Sequence, residues 1–251
     1  MNFGVYLLFI IAGLMIIIFV YAIQPVEMNN YKKLVNSYNV KDTSINYQHK
    51  IISKAFTPCM PNLESHEISL PKIIDQIAWT KNYCLKFSDF NGIPDKDNPR
   101  VVAWTQYLAR YYYYIETSNS TKQHFTFQDI RVVAFFNKEK SWVRDLAPYD
   151  NLTKQYILRH EQGHFDNAEQ FARSAEYIMK MELTQKDFPV IYRTGDLQTD
   201  AQSSANFLIS SLWNKIAPNL NMTDSIYENN TNYENFYEQI QYDVIFDKLR
   251  N

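Results

Sequence analysis

Ile157-Leu158-Arg159-His160-Glu161-Gln162-Gly163-His164-Phe165-Asp166 is the stretch on which the reading of this chain turns. It carries His-Glu-x-x-His within a segment of helical period. Two histidines four residues apart on a helix lie about 40° apart around the axis and one turn along it, so both imidazoles can reach one metal ion. Glu161 sits about 100° round from His160, where it can hold a water without being a ligand itself. Ile157, His160, His164, Ala168, Phe171, Ala175 and Ile178 follow one another at three- and four-residue steps, which turns both histidines inward. The chain has only five histidines. In so poor a background the motif arises by chance on the order of once in two hundred sequences. Buried histidines without a partner are costly, so a metal is the better account than an ordinary core helix. Gly163 costs the helix roughly 1 kcal/mol relative to alanine, and a glycine there lets another backbone or a substrate approach closely.

Working outward, Pro148-Tyr149-Asp150-Asn151 is a helix start, with Asp150 or Asn151 as the cap, and the helix is predicted to run to about Met181. Before it, Ile77 to Thr80, Cys84 to Phe87, Tyr111 to Ile115 and Ile130 to Phe136 read as strands. The tyrosine run Tyr111 to Tyr114 suits a strand between a helix layer and a partly wet face. After the motif, helices are predicted over about Ala201 to Ile216, ended by Pro218-Asn219, and over about Tyr233 to Lys248. Strands first and helices afterwards make an α+β domain: a small, mostly antiparallel sheet packed on a long active-site helix, with further C-terminal helices.

With 251 residues, the chain divides into an apolar segment (1–24), a linker region (25–70) and one domain (71–251). Val5 to Ile23 is long enough to span a bilayer and lacks a preceding Lys or Arg, which favours an uncleaved N-terminal anchor over a cleaved signal segment. Lys32 and Lys33 follow it, which by the positive-inside rule alone would put the domain in the cytoplasm. A net charge of −2 gives no reason to expect a nucleic acid, and only 5 glycines argue against a glycine-rich phosphate-binding fold. Cys59 and Cys84 could form one bridge in an oxidising compartment or be two unrelated thiols.

A catalytic zinc has three protein ligands and an open position. His160 and His164 supply two. Asn167 and Gln170 stand where the extended motif would have Gly and His, and no histidine follows His164. Asp166 and Glu169 point away from the metal and could orient a histidine from outside the ligand set or be solvated charges. The third-ligand candidates beyond the helix are Asp196, Asp200, Glu228 and Glu234.

His160-Glu161-Gln162-Gly163-His164-Phe165-Asp166, followed by Ala168-Glu169, resembles the signature of the secreted zinc-dependent protease family catalogued as domain of unknown function 922. Leu85 to Gly92 is similar to that family's strand and turn, and Ser141-Trp142-Val143 to its lead-in to the helix. The resemblance spans roughly residues 75–250. It implies a zincin-like fold, zinc as cofactor, a peptide or protein substrate and an extracytoplasmic domain, membrane-anchored or secreted. The family's Tyr-Asp-x-x-Thr-x-His-Gly pattern aligns with Tyr227 to Glu234, which puts Tyr233 where the family has histidine. Tyr233 thereby joins the third-ligand candidates.

These readings combine into a zinc metallopeptidase in which Glu161 acts as general base. The alternatives are a membrane-anchored interaction protein whose metal site is structural or absent, and a zinc amidase acting on a non-protein amide. Substrate preference and oligomeric state are not legible in the sequence.

Overall fold

The structure is a computed structural model, and it describes residues 74–118, 123–192, 194–231 and 235–250. The apolar segment 5–23, the linker to residue 70, and Tyr233 and Glu234 lie outside the described residues. No helix among the described residues is long and apolar enough to cross a membrane.

Strand β1 (Gln76–Ala78) is followed by a single 3-10 turn, Phe87–Asp89. Next come β2 (Ala103–Trp104), β3 (Tyr107–Ser118), β4 (His124–Asn137) and β5 (Trp142–Val143). The helical half holds α1 (Asn151–Leu183), a short strand β6 (Asp187–Pro189), α2 (Leu197–Ile216), α3 (Pro218–Thr231) and α4 (Phe236–Arg250). The domain is therefore mixed α and β, with a small antiparallel sheet and helices.

β4 is the centre of the sheet. It pairs along its length with β3 on one side and with β1 and β6 on the other, every pairing antiparallel. On the side away from β3, β1 pairs with Phe135 to Asn137 and β6 with His124 to Thr126, at the two ends of β4. The alternation buries one face of β4, and β3 is an outer strand of the sheet. The expected strand at Cys84 to Phe87 is corrected. Lys86 N donates to Asp89 Oδ2 (2.8 Å), so the acid closes a tight turn where alternation alone suggested extension.

Ile130, Val132, Ala134 and Phe136 share one face of β4 and are buried against α1. The helix answers with Phe165 and with Ala168, Ala172 and Ala175, whose small side chains let it lie close to the sheet. Phe136 and Phe165 meet with ring centroids 5.9 Å apart. Glu176 accepts from Val132 N (2.9 Å), tying helix to sheet by a polar bond within the same face. On β3, Tyr111 and Tyr113 point to α2, bonding Ser210 (3.1 Å) and Gln202 (2.6 Å), while Tyr114 is exposed. The tyrosine run is thus a strand between a helix and a wet face, as its composition suggests.

The long helix α1 starts where the sequence indicates. Asp150 caps it by accepting from Thr153 N (2.7 Å). The break at Pro218 is real but is also a beginning: proline suits the first position of a helix, and α3 starts there. That helix was not expected from the sequence.

Asp166 and Glu169 neither orient a histidine nor sit in solvent. Asp166 is buried and accepts from Trp79 Nε1 (2.7 Å), Gln162 Nε2 (2.9 Å) and Arg250. The guanidinium groups of Arg173 and Arg250 lie 5.2 and 5.0 Å from the centroid of Trp79, and Arg250 also donates to the Tyr83 carbonyl (3.1 Å). The segment before the 3-10 turn and the last helix are both fastened to α1 through this cluster. Cys84, in that segment, is disulfide-bonded; Cys59, the other cysteine of the sequence, lies outside the described residues.

Burial pushes Glu169 up from 4.5 to about 7, although Arg173 pairs with it at 2.9 Å. A raised carboxyl favours the folded state fully below its unfolded value, and that contribution is lost as pH rises through the folded one. Glu169→Gln should therefore gain stability over wild type as pH climbs from 5 to 8, by on the order of 2–3 kcal/mol, in urea unfolding at a series of pH values.

Candidate metal centre

α1 presents His160 and His164 from adjacent turns, both buried. The partner surface is α3, on which Leu220, Asp224, Tyr227, Glu228 and Thr231 recur at three- and four-residue steps. What brings the two helices together is Gly163. A Cβ on this residue would lie 1.9 Å from the Tyr227 hydroxyl oxygen and 2.4 Å from its Cζ. The glycine is a notch for the fully buried ring of Tyr227, and the close approach anticipated there is made by this chain's own side chain. That ring stacks on His160 (centroids 5.4 Å, 24° between planes) and meets His164 edge-on (4.9 Å, 80°). Its hydroxyl lies 2.9 Å from both the His160 carbonyl and Gln239 Oε1 and shares its one hydrogen between them.

Seated in this way, α3 brings Glu228 to the histidines. Glu228 Oε2 lies 3.0 Å from His160 Nε2 and 3.1 Å from His164 Nε2, and the two nitrogens are 3.2 Å apart. Three ligands about 2.0–2.1 Å from a zinc ion in tetrahedral geometry stand about 3.3 Å from one another, so the triangle is that of a metal site drawn slightly inward. His160, His164 and Glu228 form a group that could hold a metal ion.

The chemistry of the donors supports the fit. His164 Nδ1 faces Asp224 Oδ1 at 2.6 Å. His160 Nδ1 faces Gln239 Oε1 and Thr231 Oγ1, both at 3.4 Å, and the Thr231 hydroxyl spends its own proton on the Tyr227 carbonyl (2.7 Å). Acceptors on both Nδ1 atoms put the ring protons there, which leaves two Nε2 lone pairs and a carboxylate oxygen converging on one point. Such a convergence requires a cation, either a metal ion or protons. The electrostatics agree: burial lowers His164, but Asp224 and Glu228 outweigh it and carry it up to about 10. With protons rather than a metal as the cation, hydrogen bonds from the two histidines hold Glu228 well below the usual carboxylate range. The Glu228 side chain is 51% exposed whereas those of His160 and His164 are 5% and 11%, so the group opens to solvent on the Glu228 side.

Glu161, one residue from His160, is 2% exposed. Burial pushes its carboxyl above the ordinary 4.5 despite the nearby histidines. Its Oε2 is buried with no hydrogen-bond partner. Thr105, which follows β2, donates to the Glu161 carbonyl (3.4 Å) and lies within reach of the carboxyl. Tyr107, at the start of β3, stacks on His164 (6.4 Å) and its hydroxyl bonds Asp224; burial, with the Asp224 charge adding to it, raises that phenol far above 10.0.

Of the third-ligand candidates, the structure brings Glu228 to the histidines. Asp196 instead caps α2, accepting from Thr199 N (3.2 Å). Asp200 organises the preceding turn, accepting from Thr194 N (2.8 Å) and Gly195 N (3.3 Å). Tyr233 and Glu234 lie outside the described residues. Sequence reasoning missed Asp224, Tyr227 and Gln239 as builders of the site. The signal available was the stripe Leu220, Asp224, Tyr227, Glu228, Thr231 behind a proline fit to start a helix.

Comparison with protein-family models, with curated proteins and with solved structures finds no match for this chain.

Glu228→Ala should weaken metal binding by more than about a hundredfold, whereas Asp200→Asn should leave it unchanged, in chelator competition. Gly163→Ala should destabilise by about 1–3 kcal/mol in urea unfolding, despite alanine's better helix propensity, because Tyr227 cannot retreat.

Proposed function

We propose that the chain is a zinc metallopeptidase that hydrolyses peptide bonds at His160, His164 and Glu228, with Glu161 as general base. The observation that carries this reading is the pairing of a three-donor group with a buried carboxyl whose Oε2 lacks a partner. Two histidines and one glutamate are the donor set of catalytic zinc sites, whereas structural sites are closed by four protein ligands. Three donors come together among the described residues, and the group is open on one side.

Zinc held there supplies a Lewis acid that polarises the scissile carbonyl and acidifies a water molecule. The rest falls to the chain's own residues. Glu161, raised by burial, is suited to take the water's proton and return it to the leaving amine. Asp224 and Gln239 hold the two imidazoles by their Nδ1 atoms so that both Nε2 lone pairs face inward. β3 is the outer strand of the sheet and starts at Tyr107, against His164. An extended peptide that paired with this edge would be carried toward the histidines.

The test separates binding from chemistry. Glu161→Gln should retain stoichiometric zinc and lose hydrolysis of a mixed peptide library by at least 10²–10³-fold, measured by mass spectrometry. Turnover unchanged in that variant would remove Glu161 from the mechanism.

A further inference from the structure

We propose that Gln239 on α4 is a positioning residue for His160, and that Asp243 makes it one by fixing which end of the Gln239 amide faces the ring. The proposal rests on the metal-site reading above and extends it to the last helix.

The argument runs through the hydrogens. An amide side chain can present either its oxygen or its nitrogen, and only its neighbours decide which. Gln239 is 1% exposed, so both ends must find partners inside the protein. Its nitrogen lies 3.0 Å from Asp243 Oδ1. A carboxylate only accepts, so Nε2 must face Asp243 and Oε1 must face the other way. Asp243 is held in place by an ion pair with Arg159, the residue before His160. On the far side of the amide, Oε1 lies 2.9 Å from the Tyr227 hydroxyl, whose single hydrogen it shares with the His160 carbonyl, and 3.4 Å from His160 Nδ1. The ring is thereby required to carry its proton on Nδ1. Thr231 makes the same demand, since its hydroxyl hydrogen is already given to a carbonyl. His160 consequently offers its Nε2 lone pair toward Glu228 and His164. Inverted, the amide would set an N–H against Nδ1 and favour the tautomer whose Nε2 is blocked by a proton.

The two histidines are thus oriented by different means. His164 has the Asp224 carboxylate directly on its Nδ1. His160 has a neutral amide, with the charge one residue further out at Asp243.

The experiment uses the full chain and zinc alone as the probe. Gln239→Met removes the acceptor and should weaken zinc binding roughly 10- to 100-fold in chelator competition. The double variant Gln239→Glu with Asp243→Asn reverses the pair: the new amide donates to the new carboxylate, which still accepts from His160. It should bind zinc to within about threefold of wild type, the orienting contact being kept. Folding of each variant is followed by urea unfolding, so that a general loss of structure is distinguished from a loss of zinc. A readout that needs no variant is the imidazole nitrogen spectrum of the zinc-loaded wild type, in which His160 should carry hydrogen on Nδ1. Zinc bound through His160 Nδ1, a Gln239→Met variant that binds as wild type does, or a double variant as weak as Gln239→Met would each overturn the proposal. Zinc binding that behaves as expected in a chain that cleaves no peptide would retire the peptidase reading and leave this one standing. Peptide cleavage with zinc affinity indifferent to Gln239 would do the reverse.

Discussion

The seating of Tyr227 in the notch left by Gly163 is the contact on which the centre depends. It is a steric statement before it is a chemical one: a side chain of any size at 163 would occupy the space the phenol fills. Because the ring is buried and its hydroxyl is engaged on both α1 and α4, the notch fixes the position of α3 along α1. Asp224 lies three residues before Tyr227, and Glu228 follows it directly. One packing event therefore delivers a donor to the histidines and an acceptor to the back of one of them.

A second constraint is the absence of water from most of this machinery. Glu161, His160, His164 and Gln239 are all buried, and burial makes unpaired polar atoms expensive. The structure meets that cost with a connected set of donors and acceptors running from Arg159 through Asp243, Gln239 and Tyr227 to the histidines. Beside this set, the buried Glu161 Oε2 has no hydrogen-bond partner. Elsewhere, carboxyls of the same helix are neutralised in ways that have nothing to do with a site. Asp166 takes an indole, an amide and a guanidinium, and Glu169 an arginine one turn away.

The long helix and its cap, the two long strands and the two histidines were legible because each depends on local pattern: a period of 3.6, a period of two, an Asp before an apolar run. The general base candidate was legible for the same reason, being fixed by its offset from His160. Glu228 could be named only as one of several carboxylates, because a ligand brought from another helix is selected by docking, and docking is decided by the Gly163 notch rather than by spacing. Gln239 carries no signal of its own in the sequence. It is one amide among many polar residues in α4, and its role exists only once Asp243 and His160 are on either side of it. The turn at Phe87 to Asp89 was misread because alternation over four residues is weak, and one side-chain bond from Asp89 outweighs it.

His160 and Glu228 are 68 residues apart in sequence and touch through space. A cation held between them is therefore a cross-link as much as a reagent. It closes a long loop of chain and joins α1 to α3 by bonds that the unfolded polymer cannot make, so its binding energy adds to the folding energy of the helical half. With α4 attached to the same histidine through Gln239, metal binding at this group would make loading and consolidation of the three helices one equilibrium. Free metal concentration would then govern how much of the helical half is consolidated.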